Sequence, residues 1–241
     1  MRNVVVTGGG TGIGRAVAAA FAELGDAVVI TGRRADVLAK TAADLGAGVR
    51  PAAFDATDPE QVEAALPGLP ESVHVLVHCA GGNTSIAAPE PGTLAETAAM
   101  WRANLDANLI SAVLVTAVLR PRLAPGGAVI NISSIAAHRG GAGSYGAAKA
   151  AVEAWNLTLA QDLGQDQITA NVIAPGFIDD TEFFRGRMTD QRRTTLIGQT
   201  ANGRAGVPDD IAATAVFLAS SGGSHLTSQV LHVNGGALSG R

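Results

Sequence analysis

The only tyrosine, Tyr145, stands four residues before Lys149, one of two lysines in a 241-residue chain that carries 15 arginines. On a helix, residues at i and i+4 share a face. An ammonium beside a phenol favours the phenolate, so such a pair would lower the tyrosine pKa toward working pH and let it pass a proton. Ser133 and Ser134 follow the apolar run Ala128–Ile132 and bring hydroxyls to the carboxyl end of a strand. That is where open α/β sheets hold their ligands. Spacing alone also fits a half-buried helix tyrosine with a solvated lysine beside it.

A second group of residues suits phosphate. Val4-Val5-Val6-Thr7 runs into Gly8-Gly9-Gly10-Thr11-Gly12-Ile13-Gly14, which reads as a strand, a tight turn and the start of a helix. Glycines let the backbone approach a pyrophosphate, whose charge is favoured at a helix N-terminus. The spacing is Gly8-x-x-x-Gly12-x-Gly14 and departs from strict G-x-G-x-x-G, so its place after the first strand carries the reading. At the end of the second strand an acidic residue would select a ribose hydroxyl. Here the segment is Ile30-Thr31-Gly32-Arg33-Arg34, without a carboxylate. Arg33 can pair with a 2′-phosphate in a bidentate manner, which points to NADP(H) over NAD(H). A pair of solvated surface arginines is the alternative. Asp55, at the end of the third strand, would hydrogen-bond an adenine or cap its own loop.

These groups need a frame. Short apolar, β-branched runs at Asn3–Val6, Ala27–Thr31, Val49–Phe54, Val73–Val77, Ala128–Ile132, Ile168–Ile173 and Val230–Val233 read as strands buried on both faces. Helical patterns fall between them at Gly12–Leu24, Ala35–Leu45, Pro59–Leu66, Leu94–Leu119, Ser144–Leu163 and Pro208–Leu218. Asp58-Pro59-Glu60 is a helix start, and Gly46 and Gly164 sit where helices should stop. The long stretch Leu94–Leu119 fits two helices or one bent one. The order predicts a single α/β domain over residues 1–241, a Rossmann-type doubly wound parallel sheet of about seven strands. Gly176–Gly203, charged and carrying Phe177, Phe183, Phe184 and Met188, reads as a substrate lid.

Composition narrows the function classes. Hydrophobic residues make up 47% and charged residues 16%, enough to bury a large core and too apolar for a disordered chain. The net charge of −4 argues against a nucleic-acid or anionic-membrane surface. Cys79 is the only cysteine, which excludes an internal disulfide and fits a reducing compartment. The N-terminal apolar run is too short for a signal peptide. The uncharged stretch Ala107–Leu119 is shorter than a membrane span requires. A cytoplasmic protein is therefore expected. His74 and His78 share a strand face, but no further ligands cluster near them, so they read as packed histidines and no metal is predicted. Ser144 reads as a helix cap and Cys79 as a small buried residue.

Thr7-Gly-x-x-x-Gly-Ile-Gly, Asn131-Ile-Ser-Ser134, Tyr145-x-x-x-Lys149 and Pro175-Gly176 occur in register along the chain. Together they resemble the short-chain dehydrogenase/reductase family, especially its 3-oxoacyl-carrier-protein reductase-like members, through the ending Val233-Asn234-Gly235-Gly236. The resemblance implies that Tyr145 is the acid/base at a carbonyl oxygen, that Lys149 lowers its pKa and binds the nicotinamide ribose, and that Ser134 holds the substrate oxygen. It implies a water-holding role for Asn108, with Asn104 as a rival. It also places Gly8, Thr11, Gly12, Ile13, Gly14, Ala80, Gly81, Pro175, Gly176, Ile178 and Thr181 around the coenzyme, and it implies a homotetramer.

Three departures stand out. Ser134 precedes Tyr145 by 11 residues, fewer than is usual in the family, which keeps Ser133 as a rival. The family's Asn-Asn-Ala-Gly is here His78-Cys79-Ala80-Gly81, and Thr181 falls one place late. The expected activity is NADP(H)-dependent interconversion of a ketone and a secondary alcohol, with a small carbonyl or alcohol substrate. A non-catalytic NADP(H)-binding sensor on the same fold is the alternative.

Overall fold

In a computed structural model, which describes residues 1–86, 88–140 and 142–239, all seven expected strands are present. They are β1 (Asn3–Thr7), β2 (Ala27–Gly32), β3 (Val49–Ala53), β4 (Val73–His78), β5 (Leu123–Ile132), β6 (Thr169–Pro175) and β7 (Val230–Val233). They form one sheet in the order β3-β2-β1-β4-β5-β6-β7. Every pairing is parallel. The chain reverses its direction of travel across the sheet between β1 and β4, and there the carboxyl ends of the strands open into a crevice.

The β1 run Val4-Val5-Val6 explains why so apolar a strand stays in place. Val4 and Val6 pack into a core with Val17 and Phe21 of α1 (Gly12–Glu23), Leu38 of α2 (Ala35–Leu45) and Ile211 of α9 (Pro208–Leu218). Val5 points the other way, into a core with Val62 of α3 (Pro59–Ala65), Val115 and Leu119 of α5 (Ser111–Leu119), and Leu159 of α7 (Gly143–Gly164). Alternate residues thus face opposite helical layers. Two local signals act as read: Asp58 caps α3 by accepting from the Glu60 and Gln61 N–H groups, and Gly46 ends α2 at φ 99°.

Other boundaries differ for identifiable reasons. β5 begins at Leu123, because the strand continues through Pro125-Gly126-Gly127 with a register shift against β4 between Val73 and Val75. Gly127 is tightly placed: a Cβ there would lie 2.7 Å from the His74 carbonyl oxygen. α7 ends at Gly164, where a stop was expected, and the chain then turns at Gln167, in the left-handed region at φ 59°. The segment after β6 also contains regular structure that its polar composition hides, a 3₁₀ turn at Glu182–Phe184 and α8 (Asp190–Gly198).

The stretch beginning at Leu94 is one long helix with a defect. α4 (Leu94–Leu105) passes through a π-helical segment, Asp106–Ile110, into α5. Ser111 N–H therefore reaches back five residues to the Asp106 carbonyl. The full run Leu94–Arg122 is 29 residues long, and by length and composition it is apolar enough to cross a membrane. This exceeds the uncharged run counted above. Its Val115 and Leu119 side chains lie in the core against the sheet, and Asn104 and Asn108 are fully buried.

Candidate active site

α7 sets the geometry of the Tyr–Lys pair. Tyr145 and Lys149 sit on its first turns, 7% and 4% exposed, and both line a cavity of about 1250 Å³ at the β1/β4 crevice. Ser134 follows the end of β5 and lines the same cavity as Tyr145, where its hydroxyl acts to lower the pKa of the phenol. The Ser134 Oγ also accepts the Ala136 N–H at 3.1 Å, which orients it. Ser133 points elsewhere. Its hydroxyl donates to Glu153 Oε1 at 2.6 Å, with the Lys149 carbonyl oxygen also within 3.1 Å of it. Of the two serines, Ser134 is the one whose hydroxyl bears on the acidity of Tyr145. Ser144 is not the helix cap expected, since α7 starts from Ala142 and the Ser144 Oγ accepts the Asn104 side-chain amide at 2.9 Å.

The electrostatics differ from the simple picture of an ammonium acidifying a phenol. Burial pushes Tyr145 up to about 12, and the Ser134 hydroxyl only partly opposes this. Burial also lowers Lys149 to about 8. The Lys149 Nζ donates to the Ile132 carbonyl at 2.8 Å and lies 5.9 Å from the centre of the Tyr145 ring, not against its hydroxyl. Desolvation therefore governs both groups. The phenol keeps its proton through neutral pH, which suits a proton donor.

The glycine turn is built for close approach. Gly8 and Gly12 adopt φ 66° and 51°, a region costly for residues with a Cβ. A Cβ on Gly14 would sit 2.2 Å from the Gly8 carbonyl oxygen. Thr11 precedes α1 without donating or accepting a side-chain cap, so the first N–H groups of the helix are left for another anion. Gly12, Ile13 and Gly14 line the cavity there. The Thr7 hydroxyl accepts the Ala80 N–H at 3.1 Å and ties the end of β1 to the turn after β4. Arg33 and Arg34 line the same cavity. Its glycine backbone, free helix N–H groups and two arginines fit a phosphorylated dinucleotide.

The cavity wall contains each site residue expected from the sequence except Asn108. Asn108 lies behind the wall, on the π-helical segment. Its Oδ1 accepts the Gly82 N–H at 2.9 Å, and its Nδ2 donates to the Gly82 and Asn104 carbonyls, each at 2.9 Å. A Cβ on Gly81 would meet Asn108 Oδ1 at 2.5 Å, so the asparagine and the glycine turn are fitted to each other. The rival, Asn104, accepts from Thr84 N–H and donates to Ser85 and Ser144. Asp55 is a loop cap as well as a lining residue: its Oδ1 accepts from the Thr57 N–H and hydroxyl. Thr181 donates to the Ile178 carbonyl at 3.4 Å, while Ile178 packs into the core. Phe183 and Phe184 of the expected lid reach the cavity, as do Arg34 and Ser111, to which the sequence reading gave no site role.

Among the described residues no group of His, Cys, Asp and Glu could hold a metal. His78 is fully buried with Nε2 2.8 Å from Thr116 Oγ1, and desolvation depresses it to about 3. Cys79 borders the cavity, but burial pushes its thiol up to about 12.

A family model described as "Enoyl-(Acyl carrier protein) reductase" matches residues 8–237, nearly the whole chain. The chain belongs to the short-chain dehydrogenase/reductase family. It is 37% identical over 243 residues to the 3-oxoacyl-[acyl-carrier-protein] reductase FabG of Chlamydia muridarum, covering 96% of this chain and 95% of that one. It is 37% identical over 247 residues to the short-chain reductase protein NovJ of Streptomyces niveus, covering 96% and 92%. Among solved structures, a short-chain dehydrogenase/reductase from Mycobacterium ulcerans superposes with a TM-score of 0.88 at 32% identity, covering 98% of this chain and 89% of that one. A blue fluorescent protein from a metagenomic library, solved in complex with NADPH, gives 0.88 at 30% identity, covering 99% and 98%. As a short-chain dehydrogenase/reductase, the chain places its glycine turn and its Ser134, Tyr145 and Lys149 on one continuous wall.

Proposed function

We propose that this short-chain dehydrogenase/reductase is an NADP(H)-dependent oxidoreductase that interconverts a ketone and a secondary alcohol, with 3-oxoacyl thioesters as its substrate class. The observation that carries the reading is the single cavity joining Arg33 and the glycine turn to Ser134, Tyr145 and Lys149. The similarity to 3-oxoacyl-carrier-protein reductases and to a protein solved with NADPH supports it. The coenzyme, when bound, supplies or accepts the hydride.

The chain's own residues supply the rest. Gly8, Thr11, Gly12, Ile13 and Gly14 would hold the pyrophosphate against the uncapped N-terminus of α1. Arg33 would pair with the 2′-phosphate, and Asp55, Ala80, Gly81, Pro175, Gly176, Ile178 and Thr181, which line the same cavity, would hold the rest of the coenzyme. Ser134 donates a hydrogen bond to the substrate oxygen. Tyr145 delivers its proton to that oxygen during reduction and takes it back during oxidation. Lys149 places positive charge beside the ribose and the phenol. Asn108 acts as a positioning residue by holding the Gly81–Gly82 turn against the cavity.

Residues 176–203 form the substrate lid of this single domain, with Phe183 and Phe184 turned toward the cavity. We further infer a cytoplasmic homotetramer that binds neither nucleic acid nor membrane. The exposed apolar side chains Trp101, Ile110 and Leu157, on the α4–α5 helix and α7, support association of chains through that layer. The net charge of −4 supports the absence of a nucleic-acid surface.

Tyr145→Phe is the direct test. NADPH binding should persist while acetoacetyl-thioester reduction, followed by loss of NADPH absorbance, falls roughly a hundredfold or more. Retained turnover would overturn the mechanism. Tight NADPH binding by the unaltered protein with no turnover across a panel of ketones would favour the sensor. Equal or greater thermal stabilisation by NADH than by NADPH would overturn the assignment of Arg33.

A further inference from the structure

Three consecutive residues after β6 reach three different parts of the cavity. The Thr181 side chain lies over the glycine turn, with its Cβ and Cγ2 each 3.6 Å from where a Cβ on Gly12 would be. Glu182 Oε2 accepts the Arg34 Nη2 at 3.0 Å, across 148 positions of sequence. The Phe183 ring is 5.7 Å from that of Tyr145. The segment is held at its base, where Ile178 bridges to Gly206 and Asp179 accepts the Arg193 Nε at 2.6 Å. Between these points Asp180 and Arg185 adopt φ 56° and 49°, with Gly186 following at 74°. The residues that touch the cavity are thus bracketed by left-handed backbone, the kind of position that can absorb a change in direction.

The acidic contact matters because of where it falls. Arg34 follows the end of β2, beside Arg33, at the place where the second strand lacks a carboxylate. Glu182 brings one there from a distant part of the chain. A guanidinium held by a carboxylate is only partly available to a phosphate, and a carboxylate close to a 2′-phosphate repels it. A dianionic phosphate competes well for Arg34, whereas a 2′-hydroxyl has no charge with which to break the pair. Glu182 and Phe183 are adjacent, so the contact with Arg34 and the contact with Tyr145 lie on one short strap.

We propose that Glu182 is a coenzyme-specificity residue, occupying Arg34 so that the 2′-phosphorylated coenzyme, and not its 2′-hydroxyl counterpart, must displace the strap that carries Phe183 over Tyr145. This rests on the NADP(H) reading given above and adds to it a counterweight: the chain discriminates through Arg33 and Arg34 and moderates that discrimination through Glu182. Both side chains of the pair are more than half exposed, so solvent screens the contact and a modest effect is expected.

The test compares dissociation constants for NADPH and NADH, read from nucleotide fluorescence, in the unaltered protein, Glu182→Gln, Arg34→Gln and the double variant. Glu182→Gln should tighten NADPH roughly threefold to tenfold and leave NADH within about twofold, the range open to an exposed ion pair. The gain should vanish in the Arg34→Gln background. Trypsin should cut Glu182→Gln at Arg185 or Arg187 faster than the unaltered protein, since the strap has lost its distal tie. An unchanged ratio of the two constants in Glu182→Gln, or equal shifts for both coenzymes, overturns the proposal. A gain that survives in the Arg34→Gln background also overturns it. Preference of the unaltered protein for NADH is a different result: it overturns the NADP(H) assignment, which the Glu182→Gln ratio does not measure.

Discussion

Replacing Lys149 by methionine removes a cation whose burial opposes folding at neutral pH. Lys149 is 4% exposed, and its pKa falls from 10.5 to about 8 through desolvation. At about 1.4 kcal/mol per unit, holding the ammonium inside the fold costs about 3 kcal/mol below pH 8. The sign follows from proton counting. Between pH 8 and 10.5 the unfolded chain binds more protons at this site than the folded one, so the stability of the unaltered protein rises with pH through that window. Methionine fills similar volume without the charge but leaves the Ile132 carbonyl without its 2.8 Å donor, a loss of about 1–3 kcal/mol. Lys149→Met should therefore be as stable as the unaltered protein or more so at pH 7. Its advantage should shrink by about 3 kcal/mol by pH 10.5. Urea denaturation of both proteins at fixed concentration from pH 7 to 10.5 measures that difference, and other titrating groups cancel in it. A difference that stays flat across the window would refute the claim that burial dominates at Lys149. Reductase activity should be lost throughout, which would make this a residue retained at the expense of stability.

Other perturbations probe other parts of the site. Gly14→Ala places a methyl 2.2 Å from the Gly8 carbonyl, so it should lower stability by about 1–3 kcal/mol and weaken NADPH binding, both readable from thermal melts with and without coenzyme. Asn108→Ala removes three hydrogen bonds around Gly82 and Asn104 and should cost about 1–3 kcal/mol in urea denaturation. Cys79, with its thiol at about 12 against an ordinary 9, should react with a disulfide reagent at pH 8 about a thousandfold more slowly folded than unfolded, because only the thiolate attacks. Rapid labelling of the folded protein would show that the thiol is not desolvated.

Much of the fold was legible because its signals are local and repeated. Seven apolar runs gave seven strands, and the alternation of Val4, Val5 and Val6 between two cores is what buried parallel strands require. The misread parts lack such a signal. The start of β5 runs through Pro125-Gly126-Gly127, residues that punctuate strands elsewhere, and is held here by pairing with β4. The polar helix α8 has no buried residue to give it an apolar period, and its one local signal, Thr189 capping the Arg192 N–H with Asp190 in the first turn, is short. The continuous helix from Leu94 was visible as a long pattern. Its π-helical segment was not, since a one-residue slip in hydrogen bonding leaves composition unchanged.

The site divides along the same line. Tyr145 and Lys149 are a helix turn apart, and the glycines of the first turn are contiguous, so sequence spacing maps directly onto space. What distinguishes Ser133 from Ser134 is Glu153, 20 positions from Ser133, which takes the Ser133 hydroxyl at 2.6 Å and has no counterpart at Ser134 among the described residues. The shifted acidities of Tyr145 and Lys149 depend on burial, a property of the assembled layers. Spacing suggested an ammonium acidifying a phenol. Packing puts the ammonium on a backbone carbonyl and makes desolvation the larger effect on both. The missing carboxylate beside Arg33 was read as a vacant position because the end of β2 was considered alone. Folding fills it from another part of the chain with Glu182, and a local motif has no means of registering a partner supplied by topology.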